Sequence, residues 1–263
     1  MAKYIQGTSG ILLLSVILGV MYFLMTEKKE PEQQREDTDI IRQEPPLEEV
    51  KEAIPVIPEP VVQIPISYEI PVPFTVQAPY GEWNNPIFQD ACEEASVVMA
   101  AFWMDGIKLT KESAKSTIET LAKLQKKKFG HAVDTSIEDT AWLFRELSPQ
   151  GSAAVERGVT IERMKAVLTE GNILIVPTDG RVLKNPNFTQ PGPPRHMLVV
   201  TGYDDTTKEF IVNDPGTRKG ERYRYAQSVL FDAILDYPTG KHAPVTSTDK
   251  VMLIVESVRI DPM

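Results

Sequence analysis

One cysteine, three histidines and no surplus of basic residues limit what this 263-residue chain can do. A single thiol, Cys92, excludes an intramolecular disulfide and a Cys-rich zinc site. His131, His196 and His242 are the only histidines, so no His-rich metal cluster is expected and few side chains can act as an imidazole base. Lys and Arg number 28 against 37 Asp and Glu, giving a formal net charge of -9. That balance argues against a nucleic-acid partner, which needs clustered cations to meet phosphates. What is present is ordinary globular material: 42% hydrophobic and 25% charged residues, sufficient for a real core.

The residues divide into three segments. In 1–26, the apolar run Ile11 to Met25 follows Lys3 and ends in Met25-Thr26-Glu27-Lys28-Lys29, with no Ala-x-Ala cleavage pattern. With Tyr4 and Ile5 it approaches the ~20 residues that span a bilayer. It reads as an uncleaved signal anchor, a single transmembrane helix; a cleaved signal peptide is the alternative. The Lys residues on its two sides give a weak orientation bias. A short N-terminus before a long globular part places the bulk outside the cytoplasm. Segment 27–71 is acidic and Pro-rich and reads as a disordered, extended tether, because repeated Pro suits neither a helix nor a central strand. Segment 72–263 is the expected globular domain.

Within that domain the hydrophobic period changes part-way. Helices are predicted from Asp90 to Met104, from Thr110 to about Lys128 with Gly130 as the stop, from Ser136 through Leu147, and from Thr160 to Gly171. A short strand is predicted for Val72 to Gln77. Later come short β-branched runs: Ile173 to Pro177, His196 to Tyr203, Glu209 to Pro215 and Lys250 to Ser257. Helices first and strands later imply an α+β domain with segregated halves.

Cys92 is either a small packing residue or a nucleophile. Asp90 and Glu93 have capping-box spacing, which predicts Asp90 as N-cap and sets Cys92 in the first turn. Unpaired amides there favour a thiolate, whereas Glu93 and Glu94 oppose it unless they point away or are paired. For the base, His196 opens one strand of an apparent hairpin. Centring its turn on Asp205 sets His196 opposite Asp214, near enough for the carboxylate to accept an imidazole N–H and fix the tautomer. A one-residue slip would separate them. His131 and His242 lie in loop-like sequence without a paired acid on a neighbouring strand. For an oxyanion, the Cys92 backbone N–H is one candidate donor, and Gln77 or Gln89 the second.

The two stretches VPFTVQAPYGEWNNPIFQDACEEASVVMAAFW and HMLVVTGYDDTTKEFIVNDPG resemble the bacterial C39-like peptidases of the papain-like cysteine protease fold. The resemblance runs from about Val72 to Ser257. It implies Cys92 as nucleophile, His196 as general base, Asp214 as the acid that orients it, and Gln77, by position, as the oxyanion donor, with Gln89 the alternative. Cys92-Glu93 departs from the Cys-Gly usual in the family. The activity implied is hydrolysis of peptide or protein substrates by a thiol protease, with no metal or organic cofactor. A hydrolase of cell-wall peptides or a catalytically silent peptide binder would carry the same residues.

Overall fold

The computed structural model describes residues 64–257. The signal anchor and residues 27–63 of the expected tether lie outside them. Among the described residues no helix is long and apolar enough to cross a membrane.

The core of the domain is an antiparallel sheet of seven strands. They are β1 (Ser67–Glu69), β2 (Ala153–Arg157), β3 (Ile173–Thr178), β4 (His196–Asp204), β5 (Glu209–Asn213), β6 (Tyr223–Ala226) and β7 (Val251–Val255). The order is β2-β7-β3-β4-β5-β6. β1 pairs with the far end of β4, beyond the last residue that β3 reaches. Among the described residues seven helices complete the fold: α1 (Pro86–Gln89), α2 (Cys92–Met104), α3 (Lys111–Phe129), α4 (Ile137–Leu147), α5 (Ile161–Thr169), α6 (Gly180–Leu183) and α7 (Gln227–Ala233).

The central strands β3, β4 and β7 are buried at nearly every position because both faces of the sheet are covered. Ile173, Ile175, Met197, Val199, Val251, Leu253 and Val255 pack on α2 and α4. The alternating residues Leu174, Val176, Leu198, Val200, Met252 and Ile254 join a second core with Met164 and Leu168 of α5 and Leu230 of α7. The α+β class holds, but the halves are not segregated. A sheet apolar on both sides needs two covers, so α5 and α7 pack on the face opposite α2, and β2 falls between α4 and α5.

Local signals set most helix boundaries. Thr110, Ser136 and Thr160 each cap a helix through a side-chain oxygen, and Gly130 closes α3 at φ 83°. Two expectations fail. Val72 to Gln77 is extended but forms no strand, since Pro71 and Pro73 lack the N–H that a ladder needs. The strand lies upstream instead, in β1, within residues assigned to the tether, and the domain therefore starts earlier than 72. Ile70 N–H continues this attachment by donating to Thr201 O at 2.8 Å.

β4 and β5 pair with a bulge. From Asp204–Glu209 to Gly202–Ile211 the strands run in one register, then shift so that Val200 faces Val212 and Val199 faces Asn213. Thr201 is the extra residue. The bulge keeps Val200 and Tyr203 in the same core, although their spacing would otherwise place them on opposite faces.

Candidate active site

Cys92 is the first residue of α2, a helix buried along almost its whole length. Its N-cap is Ala91, with no side-chain cap bond. Asp90 instead closes α1 as its C-cap. The capping-box spacing is therefore coincidental. Glu93 turns inward, away from the Asp90 backbone, and accepts the Cys92 thiol on Oε2 at 3.1 Å. Its Oε1 takes the Tyr237 hydroxyl at 2.9 Å and the Thr135 N–H at 3.3 Å. Burial, reinforced by the Glu93 carboxylate, pushes the Cys92 thiol well above its ordinary range. The helix-start amides do not prevail, because Glu93 points at the sulfur instead of away from it. Glu94 is buried too, with Oε1 bonded to Gln125 at 2.8 Å and Oε2 without a partner. Burial, then the neighbouring Glu93, drives its carboxyl well upward.

His196 opens β4, opposite Thr178 of β3. Its Nε2 lies 2.8 Å from Asp214 Oδ1. The expected pairing of His196 directly with Asp214 is two residues out of step. Continuing the Val199–Asn213 register by one pair sets Asp214 opposite Leu198. A two-residue offset preserves the face, and the diagonal neighbour is within reach of an imidazole.

Asp214 is fully buried and heavily bonded. Oδ2 accepts from Tyr225 at 2.6 Å and from Asn185 at 3.3 Å, and Oδ1 also accepts the Gly216 N–H at 3.0 Å. Burial alone would raise its carboxyl; His196 and these donors outweigh it and hold the group below the ordinary carboxylate range. The Phe188 ring meets His196 edge-on, centroids 5.2 Å apart. A Cβ at Gly216 would come within 2.8 Å of His196 Cε1, so the ring is boxed in. Tyr225, Asn185 and Phe188 were not singled out from sequence. Tyr225 stands on the edge strand β6, and no local pattern there announces a role at Asp214.

Cys92, His196, Gln77, Gln89 and Gly216 line one cleft of about 380 Å³. Gln77 is buried, and its Nε2 donates to Phe88 O and Gln89 O, both at 2.9 Å. It braces the end of α1, from which the chain turns into Cys92. Gln89 is exposed and offers its carbonyl to that brace. His242 also lines the cleft and has an acid from a loop, not from a neighbouring strand: Asp134 Oδ2 lies 3.1 Å from its Nδ1. The two histidines differ in setting. The His242 side chain is 55% exposed, whereas that of His196 is 2% exposed. His131 lies beside Phe129 and is not among the cleft residues.

A helix-start cysteine, a strand-start histidine held by a carboxylate, and a buried glutamine therefore share one cleft. The family model described as the Peptidase_C39 like family matches residues 69–236. The chain belongs to this family. It is accordingly a cysteine peptidase, a hydrolase whose substrates are peptides or proteins. The family match spans every cleft residue named above except His242. Among solved structures, one assigned as a C39-like peptidase from Bacillus anthracis is similar at 16% identity and a TM-score of 0.43, covering 72% of this chain and 98% of that one. Xylellain, a cysteine protease from Xylella fastidiosa, is similar at 15% identity and a TM-score of 0.36, covering 75% and 88%. These are distant resemblances, and membership in the C39-like family rests on the sequence match. A search of curated proteins returns no match. Among the described residues no group of three or more His, Cys, Asp or Glu is arranged to hold a metal ion.

Proposed function

We propose that this C39-like peptidase has a papain-like catalytic arrangement, with Cys92 as nucleophile, His196 as general base and acid, and Asp214 as the group that orients His196. The observation that carries this reading is the His196–Asp214 contact, made in the same cleft as the only cysteine. With Nε2–H given to Asp214, Nδ1 is the nitrogen left to take a proton. His196 removes the thiol proton as sulfur attacks the substrate carbonyl, then passes that proton to the departing amine. The thioester is released by water, which His196 activates in turn. The oxyanion meets the Cys92 backbone N–H, at a helix start where it has no intrahelical acceptor. Gln77 supplies the second donor by giving up one of its two carbonyl bonds; Gln89, exposed, is the weaker candidate.

The test is to trap the intermediate. Mixing the protein with an activated peptide ester and quenching in acid is expected to leave an acyl mass on the peptide that contains Cys92. Cys92→Ser carrying the same adduct at the same rate would overturn the reading. Digestion of casein and of purified peptidoglycan side by side distinguishes a protein substrate from a cell-wall one.

We also propose that the apolar run Ile11 to Met25 tethers the domain to a membrane, with the domain outside the cytoplasm. The expected result is retention of the full chain in the membrane fraction after alkaline carbonate washing; release into the wash would remove the proposal.

A further inference from the structure

The mechanism above leaves one buried group at the nucleophile unused. Glu93 has both carboxylate oxygens committed: Oε2 to the Cys92 thiol, Oε1 to Tyr237 and Thr135. It is 1% exposed, and its two anchors come from different parts of the fold, Thr135 just before α4 and Tyr237 after α7. A side chain pinned from two sides does not drift into this contact by chance. The thiol hydrogen has one direction, and here it points at Glu93.

We propose that Glu93 is a positioning residue that keeps Cys92 in its thiol form while the cleft is empty, so that His196 receives the proton only when a substrate carbonyl draws the sulfur out of the Glu93 contact. The proposal builds on the assignment of Cys92 and His196 as nucleophile and base. The step balances without a further reactant: the S–H bond breaks, its proton moves to His196 Nδ1, and the sulfur electron pair forms the bond to the carbonyl carbon. Burial raises the Glu93 carboxyl as well; ionised, it opposes a thiolate by like-charge repulsion, and in either form its Oε2 is the acceptor that holds the thiol hydrogen. The charged neighbours do not reverse this sign. On the same helix stands Glu94, bonded to Gln125 of α3, its carboxyl driven upward by burial and by Glu93. Asp134 faces Glu93 but is matched by Arg195 and His242. Across the cleft are His196, hydrogen-bonded to Asp214, and Asp90 at the end of α1.

Glu93→Gln makes the sign sharp. The amide keeps an oxygen for Tyr237 and Thr135 but replaces the acceptor at the sulfur with an N–H donor, which favours the thiolate. The experiment is the pH dependence of iodoacetamide alkylation of Cys92 in the full chain. In wild type the midpoint is expected above the free-cysteine range. In Glu93→Gln it is expected to fall by about one pH unit or more, which makes alkylation about tenfold faster on the acid side of the wild-type midpoint. An unchanged midpoint, or slower alkylation as if Glu93 were the base, would overturn the proposal. If Glu93→Gln does not fold, the wild-type curve alone decides: a midpoint within or below the free-cysteine range defeats it. Alkylation needs no peptidase turnover, so these outcomes are separate from those of His196→Ala, which tests the underlying assignment.

Discussion

Replacing His196 with alanine is expected to lower kcat/KM about ten-thousandfold, at the upper end of what a positioned acid–base group contributes. The reason for the upper end lies in the resting thiol. Many catalytic cysteines sit near a positive charge and are ionised before substrate arrives, so part of their reactivity survives loss of the base. Cys92 is buried and bonded to a carboxylate, and both effects hold it protonated. His196 must also protonate the leaving amine, so acylation loses twice. KM is expected to change little, because His196 is almost fully buried and offers scant surface to the substrate. His242→Ala is the matched control. It removes the other cleft histidine, which also has a carboxylate partner but is solvent-exposed. A His196→Ala enzyme within tenfold of wild type, or a larger loss in His242→Ala, would transfer the base to His242.

The second large effect is expected in the loop that backs Asp214. Gly220→Ala should destabilise the protein by about 3 kcal/mol, a fall in Tm of roughly 10 °C, and reduce activity below that temperature as well. The chain from Asp214 to Gly220 forms a loop that closes on itself: Asp214 N–H donates to Gly220 O at 2.9 Å, and Gly220 N–H donates to Thr217 O at 3.2 Å. A Cβ on Gly220 would fall 1.8 Å from Asp214 O and 2.7 Å from its carbonyl carbon. The atoms in the way are backbone and cannot rotate aside. Either the loop opens or Asp214 moves, and Asp214 is the residue that fixes the His196 ring. Stability is read by thermal denaturation and the site by kcat/KM at a temperature where the variant is folded. A variant with wild-type Tm and activity would show that the loop does not close on Asp214.

Much of this domain was legible in the sequence because apolar runs announce buried strands. β3, β4, β5 and β7 all fall where β-branched stretches lie between turn residues. Their neighbours in the sheet were harder. Tyr223–Ala226 and Ala153–Arg157 are short, half-exposed edge strands whose polar residues look like loop. Ser67–Glu69 is a strand only because β4 offers an open edge there, a tertiary fact with no local trace. His196 and Asp214 were brought together by a register that proved wrong by two residues; the even offset spared the conclusion. The turn is centred later than Asp205, which alone would put the register three residues out; the bulge at Thr201 takes one back, and a single inserted residue leaves no periodic signature. At Cys92 the failure was instructive in a different way. Local capping logic placed Glu93 at the helix rim, whereas packing against Tyr237 and Thr135 drew it to the sulfur. Burial decided the direction of that side chain, and burial is a property of the whole fold.

Mechanical load entering the domain from its N-terminal side is met first by β1. Three residue pairs join it to β4, and Ile70 N–H adds a hydrogen bond to the bulge at Thr201. The fit is close: a Cβ at Gly202 would lie 2.4 Å from Tyr68 O. Tyr203, fully buried, also gives its hydroxyl to Pro65 O. Tension on the chain before Ile64 is therefore delivered to the strand that begins with His196, at its opposite end. That path runs through the three-pair β1 attachment, at the end of β4 opposite His196.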